Sequence, residues 1–521
     1  MPNISAIRVA YFVAIIATCV IVFTVIKFSL FPQISTMTET RDVDTQVIIV
    51  GGGLAGLSAA IEASRHGAKV TIVEKEKSLG GNSAKATSGI NGAESKPQRD
   101  KGINDSVDTF MKDTLSSGDG LSNPALVNIL TSNSAEAIDF LRSFGVNLVD
   151  VVQLGGHSVP RTHRIPPTAD GKPSPVGFTI VSTLRKYTEN DLKESIQVLV
   201  NSAFKSLIFE GVRVVGIRYE AADKTEHELR GNVILTAGGY ANDHSTNSLL
   251  DRYVPNLAKL PTTNGPWATG DIIKATVPNG LSLIHMDRVQ VHPTGFVEPS
   301  NPNHHTKFLA PEALRGCGAI MLNAEGGRFV DELGRRDHVT DAIFTHCKHF
   351  QGNETMPVVA VMLFNDEAIN QFGAASAGFY RMKGIIQDVG KLTDLADHLK
   401  VDASVVKNTL DLYKKAAETG RDEFGKVTFP VVFSPEDHFY LAYITPTLHY
   451  CMGGLKISEK AEVLHQTVGD AEEAERPVPG LYAAGEVTGG VHGNNRLGGN
   501  SLLECVVFGR VAGFHASHNR S

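Results

Sequence analysis

Between Gln290 and Arg336 the segments VQVHPTG, PEALRGCG and GGRFVDELGRRD follow one another and supply His292, Glu312, Arg315 and Arg336. A carboxylate and a guanidinium three residues apart can pair on one helical face, and the glycines nearby let backbone approach a ligand closely. Nearer the C-terminus, TPTLHYCMGG supplies His449 and GEVTGGVHGNNRLGGNSLLE supplies Arg496. Both read as loop residues in Gly-rich turns. Held there, a His and an Arg would clamp a carboxylate, the Arg through a two-pronged, charge-assisted contact. Four such groups in one stretch and a clamp in another point to an active site acting on a small acid.

The elements that must position these groups begin at the start of the soluble chain. Residues 46–50 form a short apolar run suited to a buried parallel strand, residues 54–65 show helical apolar spacing, and residues 69–74 return to strand character. Within this βαβ unit Gly51, Gly53 and Gly56 fit the dinucleotide fingerprint: the first turns the chain, the second admits the pyrophosphate, and the third packs helix on strand. Glu74 ends the second strand, where an acidic side chain accepts hydrogen bonds from a ribose diol. The fingerprint alone does not separate NAD from FAD. The sequence continues with LGGNSAKATSGINGA, a second loop of small residues containing Gly80, Gly81, Asn82, Ser83, Ser88 and Gly89 that can embrace a diphosphate and reach a flavin.

With these motifs the chain resembles the flavoprotein superfamily of fumarate reductases and succinate dehydrogenases, nearest to the soluble fungal fumarate reductases. Three later segments carry the same resemblance: NVILTAGGY with Ala237, Gly238 and Gly239, ATGD with Asp271, and LYAAGEVTGG with Gly485 and Glu486. GGNSLLECVVFGRVAG reads as a helix starting near Asn500 or Ser501, its positive end aimed at the flavin. The resemblance implies FAD as cofactor, with contacts extending to Ala55, Lys75, Thr87, Asn91, Gly92, Ser501 and Leu502. Respiratory relatives carry a His that bonds covalently to FAD where this chain has Gly81, Asn82 and Ser83, so noncovalent FAD is implied. No Cys-x-x-Cys-His haem signature is present. Pro311 stands where bacterial relatives commonly carry Thr before the catalytic Glu, which puts one substrate-carboxylate contact in question.

The resemblance also implies roles. Arg336 would be the proton donor, with Glu312 and Arg315 as its relay and Asp337 orienting it. His449 and Arg496 would bind one carboxylate and His292 the other, while Gln290 and the loop Gly155, Gly156, His157 and Ser158 also approach the site. For His157 and His163 a plain polar loop is an equal alternative. Flavin N5 would supply a hydride and reduce fumarate to succinate, reoxidising reduced flavins or NADH. Other readings are an L-aspartate oxidase-like flavoenzyme, a steroid-ring dehydrogenase, which two carboxylate-binding centres disfavour, and a non-catalytic, membrane-tethered redox-sensing flavoprotein.

The expected fold class is α/β, with a Rossmann-like FAD-binding domain in two chain segments, residues 44–284 and 441–521, and an inserted α+β capping domain, residues 285–440. Catalysis would then lie between domains, where closure excludes water. The 521 residues suffice for two or more domains, and a net charge of -7 gives no basic footprint for nucleic acid. The five cysteines, Cys19, Cys317, Cys347, Cys451 and Cys505, form no close metal-ligand pairs, so neither a metal site nor structural disulfides are expected, and a monomer is. Residues 1–43 read as a leader: residues 9–26 are apolar apart from Thr18, Cys19 and Thr24 and are flanked by Arg8 and Lys27, as in an uncleaved N-terminal signal-anchor helix. Residues 35–45 form a polar tether. Asn104 and Asn353 lie in glycosylation sequons, and the endoplasmic reticulum is the expected compartment, with the mitochondrion as alternative.

Overall fold

The computed structural model describes residues 46–168, 174–466 and 475–519. The apolar leader segment and the tether lie outside the described residues. Among the described residues, no helix is long and apolar enough to cross a membrane.

Strands β1 (Gln46–Val50), β2 (Lys69–Val73), β3 (Ile196–Leu199) and β4 (Asn232–Leu235) lie in one sheet. Strands β5 (Gln290–Val297), β6 (Ile320–Leu322), β7 (Val358–Asn365) and β8 (Phe439–Tyr450) lie in a second, and β9 (Glu462–Gln466) and β10 (Glu475–Ala483) return to the first. The first sheet has the order β9-β10-β4-β1-β2-β3, parallel from β10 to β3 with β9 antiparallel at the edge. Apolar runs such as Val47 to Val50 suit its centre because neither face of a covered parallel sheet meets water. The second sheet is antiparallel, ordered β5-β8-β7-β6. Each sheet has its own core: Ile48, Ile49, Val233, Leu235 and Leu481 in the first, Phe296, Met321, Met362, Phe364 and Leu441 in the second.

Five helices matter for the site: α1 (Leu54–Arg65), α2 (Val107–Ser117), α3 (Glu312–Gly316), α4 (Arg336–His346) and α5 (Asn500–His518). The long α5 crosses α1 at close range, and two glycines one turn apart allow it. A Cβ on Gly509 would sit 2.6 Å from the Ala55 carbonyl oxygen, and one on Gly513 would sit 2.4 Å from that of Ala59. This crossing fixes the N-termini of both helices relative to the first sheet.

Candidate active site

The turn between β1 and α1 opens a cavity of about 830 Å³, a size that encloses a cofactor-sized molecule. Gly51 turns the chain at φ +104°, and a Cβ there would lie 2.7 Å from Ala237 Cα. At Gly53 a Cβ would meet only Ser83 Oγ, at 3.8 Å, so the backbone beside the start of α1 is open to a phosphate. Glu74 follows β2, its Oε2 accepting the Gly52 amide at 2.7 Å and its Oε1 the Glu76 amide at 2.8 Å. Burial pushes this carboxyl above its ordinary range. Each oxygen keeps a lone pair for a sugar hydroxyl. Lys75 Nζ donates to Thr269 Oγ1 at 2.8 Å and Asp271 Oδ2 at 2.6 Å, closing that end.

Around this turn the wall continues through Ala55, Gly81, Asn82, Ser83, Thr87, Ser88 and Gly89, then Ala237, Gly238 and Gly239, and ends at Gly485, Glu486, Ser501 and Leu502. The last two lie in the first turn of α5, whose positive end favours negative charge in the cavity. A glycine turn, an acidic strand end and a helix N-terminus at each end together fit a flavin adenine dinucleotide. Of the fingerprint and loop positions, Gly56, which packs helix on strand, and two expected to touch the cofactor, Asn91 and Gly92, do not line the cavity. Gly56 faces the Gly51 carbonyl, which its Cβ would meet at 2.1 Å, and Gly92 packs against Ile138. Asn91 is committed to Gly498 O at 2.7 Å, Asn500 Oδ1 at 2.6 Å and Thr162 Oγ1 at 2.6 Å.

Arg336, the first residue of α4, also borders the cavity. A cation is out of place at a helix N-terminus, and Glu312, the first residue of α3, holds it. Arg336 Nε and Nη2 donate to Glu312 Oε2 at 3.1 and 2.8 Å, and Nη1 donates to Gln290 Oε1 at 2.9 Å. Gln290 is held in turn, its Nε2 donating to Asn495 Oδ1 at 2.8 Å and to the Arg496 carbonyl at 3.1 Å. Burial pushes the Glu312 carboxyl up, but the Arg336 and Arg315 guanidiniums and two hydrogen bonds outweigh it and bring it down to about 2.

On the C-terminal side, the Arg496 guanidinium carbon lies over the Tyr450 ring, 4.5 Å from its centroid. Its Nη1 donates to the Leu497 carbonyl at 3.0 Å, and its Nε is buried with no partner among the described residues. The side chain borders the cavity, where a guanidinium favours an anion. Burial, with Arg336 nearby, lowers Arg496 to about 10. His449 lines the same cavity, its Nδ1 2.7 Å from Thr263 Oγ1, and its ring lies 5.0 Å from that of His292. His292 Nδ1 accepts the Thr294 amide at 3.2 Å, which leaves Nε2 to carry the hydrogen. Burial and the nearby cations hold both histidines well below their ordinary value, hence neutral.

Several expectations are corrected here. His449 lies on β8 and not in a turn, because the chain pairs with β5 up to Tyr450. Asp337 binds Arg335, at 3.2 and 2.8 Å, and has no hydrogen bond to Arg336. Arg315 Nη2 comes only to 3.7 Å from Glu312 Oε2, since its Nη1 is drawn to the Glu332 carbonyl at 2.8 Å. Gln290 and His292 do not line the large cavity; the Gln290 amide is spent on Arg336, Asn495 and Arg496. Gly155 donates to Glu312 Oε1 at 3.0 Å. His157 and Ser158 turn away, His157 Nε2 toward Gly498 O at 3.0 Å and Ser158 toward Asp113. His163 is buried against Ser95 Oγ at 2.6 Å, a packing role.

Residues that no motif singled out also line the cavity. Trp267 donates to Asn82 Oδ1 at 3.1 Å, and Lys85 Nζ to the Thr263 carbonyl at 2.7 Å. Tyr450 hydrogen-bonds to Glu504, which also meets His492 Nε2 at 3.0 Å. Trp267 stands next to the ATGD segment and Tyr450 next to His449, so adjacency was the one available signal.

Comparison with known proteins agrees with this geometry. The family model described as FAD binding domain matches residues 46–502. The chain is 40% identical over 485 residues to the fumarate reductase of Schizosaccharomyces pombe, covering 91% of this chain and 90% of the relative. It is 39% identical to fumarate reductase 1 of Saccharomyces cerevisiae, covering 91% and 99%. Among solved structures, the open conformation of a flavocytochrome c3 fumarate reductase superposes with a TM-score of 0.72 at 32% identity, over 91% of this chain and 78% of that one.

Proposed function

Because this chain belongs to the FAD-binding flavoprotein family, among the fumarate reductases, we propose that it reduces fumarate to succinate with noncovalently held FAD. One observation carries the reading: Arg336, fixed by Glu312 and Gln290, borders the same cavity as Arg496 and His449. Glu312 is paired with Arg336, whereas Arg496 borders the cavity with no salt bridge among the described residues, so a substrate carboxylate finds a cation there.

Bound FAD in its reduced form supplies the hydride. Arg496 and His449 hold one carboxylate, with the Tyr450 ring packed against the guanidinium. His292 backs His449, their ring centroids 5.0 Å apart, and does not itself line the cavity; the clamp at Arg496 and His449 fixes the substrate's negative end. This polarises the double bond and stabilises the enolate-like charge that develops. Arg336 then gives an N–H proton to the other carbon. An arginine is a poor acid in water, and here Glu312 holds its guanidinium in place through two hydrogen bonds. The cofactor is reduced by free reduced flavin or NADH, and the chain works as a monomer. Residues 9–26 tether it to a membrane, with the endoplasmic reticulum favoured because Asn104 and Asn353, each in a sequon, are exposed. Glycosidase-sensitive mass would support that compartment, and its absence together with mitochondrial import would overturn it.

The deciding experiment is anaerobic. The protein without its leader is reduced with dithionite-reduced viologen, and flavin oxidation is followed on adding fumarate. Wild type oxidises rapidly, while Arg336→Ala keeps its FAD and loses at least about 10²-fold of the rate. A wild type that binds FAD and ignores fumarate overturns the reading, and peroxide formed with aspartate would then favour the aspartate oxidase alternative.

A further inference from the structure

On the reading above, Arg336 at the start of α4 and Arg496 in the loop before α5 act on one substrate, so their separation must be held. The residues just ahead of each converge on a single side chain outside the site, Asp119 of the turn after α2. Arg335, which precedes Arg336, donates through Nη1 to Asp119 Oδ1 at 2.8 Å and through Nη2 to Oδ2 at 2.7 Å, a two-pronged pair. Asn494, two residues before Arg496, donates Nδ2 to Asp119 Oδ2 at 2.9 Å, and its backbone amide donates to the Gly118 carbonyl at 3.1 Å. Asn495 is tied beside it, its Nδ2 donating to Ser117 Oγ at 2.7 Å. Behind Glu312 a smaller cavity of about 130 Å³ is lined by Arg335, Arg336, Arg496 and Ser117, so these segments enclose one space.

Asp119 is set up to hold both. Its backbone sits at φ +51°, in the left-handed region that Asp tolerates better than most side chains. Among the described residues its carboxylate bonds only to Arg335 and Asn494. The two side chains of the ion pair keep 39% and 40% of their surface exposed, and a pair so exposed adds little to stability. What it does fix is direction. We propose that Asp119 is a positioning residue for the reaction: it sets the start of α4 against the loop of Arg496, and with it the spacing between proton donor and carboxylate clamp. Asp119 itself lines neither cavity and so acts only through its two partners. A displacement of reacting groups by about 1 Å is enough to cost about 10²-fold in rate, even from a distant change. The inference rests on Arg336 and Arg496 having the roles proposed above. Arg335 holds the Asp119 carboxyl down to about 2, so the pair is charged at neutral pH and salt is the condition that weakens it.

The test removes the charge and keeps the shape. Asp119→Asn leaves an acceptor for Asn494 and loses the ion pair, Asp119→Glu keeps the charge, and Arg335→Gln removes the pair from the other side. Glu228→Gln, which breaks an exposed pair with Arg218 outside the site, serves as control. Viologen-driven fumarate reduction at saturating fumarate is measured for each, together with flavin content and a thermal melt. Asp119→Asn keeps its flavin and its melting temperature while kcat falls about tenfold and KM changes less. Asp119→Glu recovers part of that rate, and Glu228→Gln matches wild type. Arg335→Gln loses as much as Asp119→Asn, and the double variant loses no more than either, as for two residues acting through one contact. From about 0.01 M to about 1 M salt the Debye length shrinks from about 30 to about 3 Å; wild-type kcat falls toward that of Asp119→Asn, which responds less. A kcat for Asp119→Asn equal to wild type, or additive losses in the double variant, overturns the proposal. Lost flavin or a lowered melting temperature in Asp119→Asn would make the role structural and overturn it as well. A wild type that does not oxidise its flavin with fumarate overturns the parent reading, a result obtained before any variant is compared.

Discussion

At Glu312 one carboxylate does two jobs: it neutralises a buried arginine and aims it. Glu312→Gln keeps the shape and removes the charge, leaving Arg336 buried at the positive end of α4. We expect kcat to fall about 10²-fold and the folded state to lose about 3 kcal/mol, the usual cost of stranding one partner of a buried pair. The pH dependence has a definite sign. The Glu312 carboxyl is depressed from an ordinary 4.5 to about 2, so its stabilisation is fully present above 4.5 and is lost as pH falls through 2. Urea melts should therefore show a constant gap between wild type and variant from pH 7 down to about 5, narrowing toward pH 2. A gap that stays constant down to the lowest pH would contradict the ion pair.

Among the elements, the crossing of α5 over α1 sets where both helix N-termini meet the cofactor cavity. It depends on Gly509 and Gly513 presenting no side chain to α1. Gly513→Leu would force the axes apart, because even its Cβ lies 2.4 Å from the Ala59 carbonyl oxygen. Overpacking of this kind costs about 1 to 3 kcal/mol. The displacement also moves Ser501 and Leu502, so flavin content should fall together with stability. The ratio of flavin to protein absorbance after purification, with a thermal melt, tests this; full flavin occupancy at an unchanged melting temperature would show that the crossing is not tight. Because α4 begins at Arg336 and α3 at Glu312, the register of two short helices places the proton donor against its counter-charge.

For the molecule as a whole, the large cavity takes its wall from both sheet systems: Gly51 and Ala237 follow strands of the first sheet, and His449 lies on the second. A ligand seated there bridges two hydrophobic cores. FAD should therefore stabilise the whole fold by mass action, by about 2.7 kcal/mol when free FAD is 100 times its Kd. Melts of stripped protein across an FAD titration check this. A melting temperature insensitive to FAD would mean that the two cores hold together without it.

What the sequence determined by itself is what short range can encode. The run Gln46–Val50, the glycines at 51, 53 and 56 and the helix Leu54–Arg65 are legible because strand burial, turn geometry and helical spacing act within a few residues. Motif types also marked Glu312, Arg336, His449 and Arg496 as groups worth finding. Partner choice was decided only by the tertiary structure. Glu312 pairs with Arg336 across 24 positions in preference to Arg315 at three, because α3 and α4 begin side by side and the Glu332 carbonyl claims Arg315. Asp337, adjacent to Arg336, serves Arg335 instead, and Gln290 becomes the brace that no motif assigns it to be. His449 reads as a loop residue beside its glycines, yet pairing with β5 makes it the end of a strand. Tyr450 beneath Arg496 and the cavity behind Glu312 have no signature in spacing at all, since each is made by chain segments that meet only once the two sheets have formed.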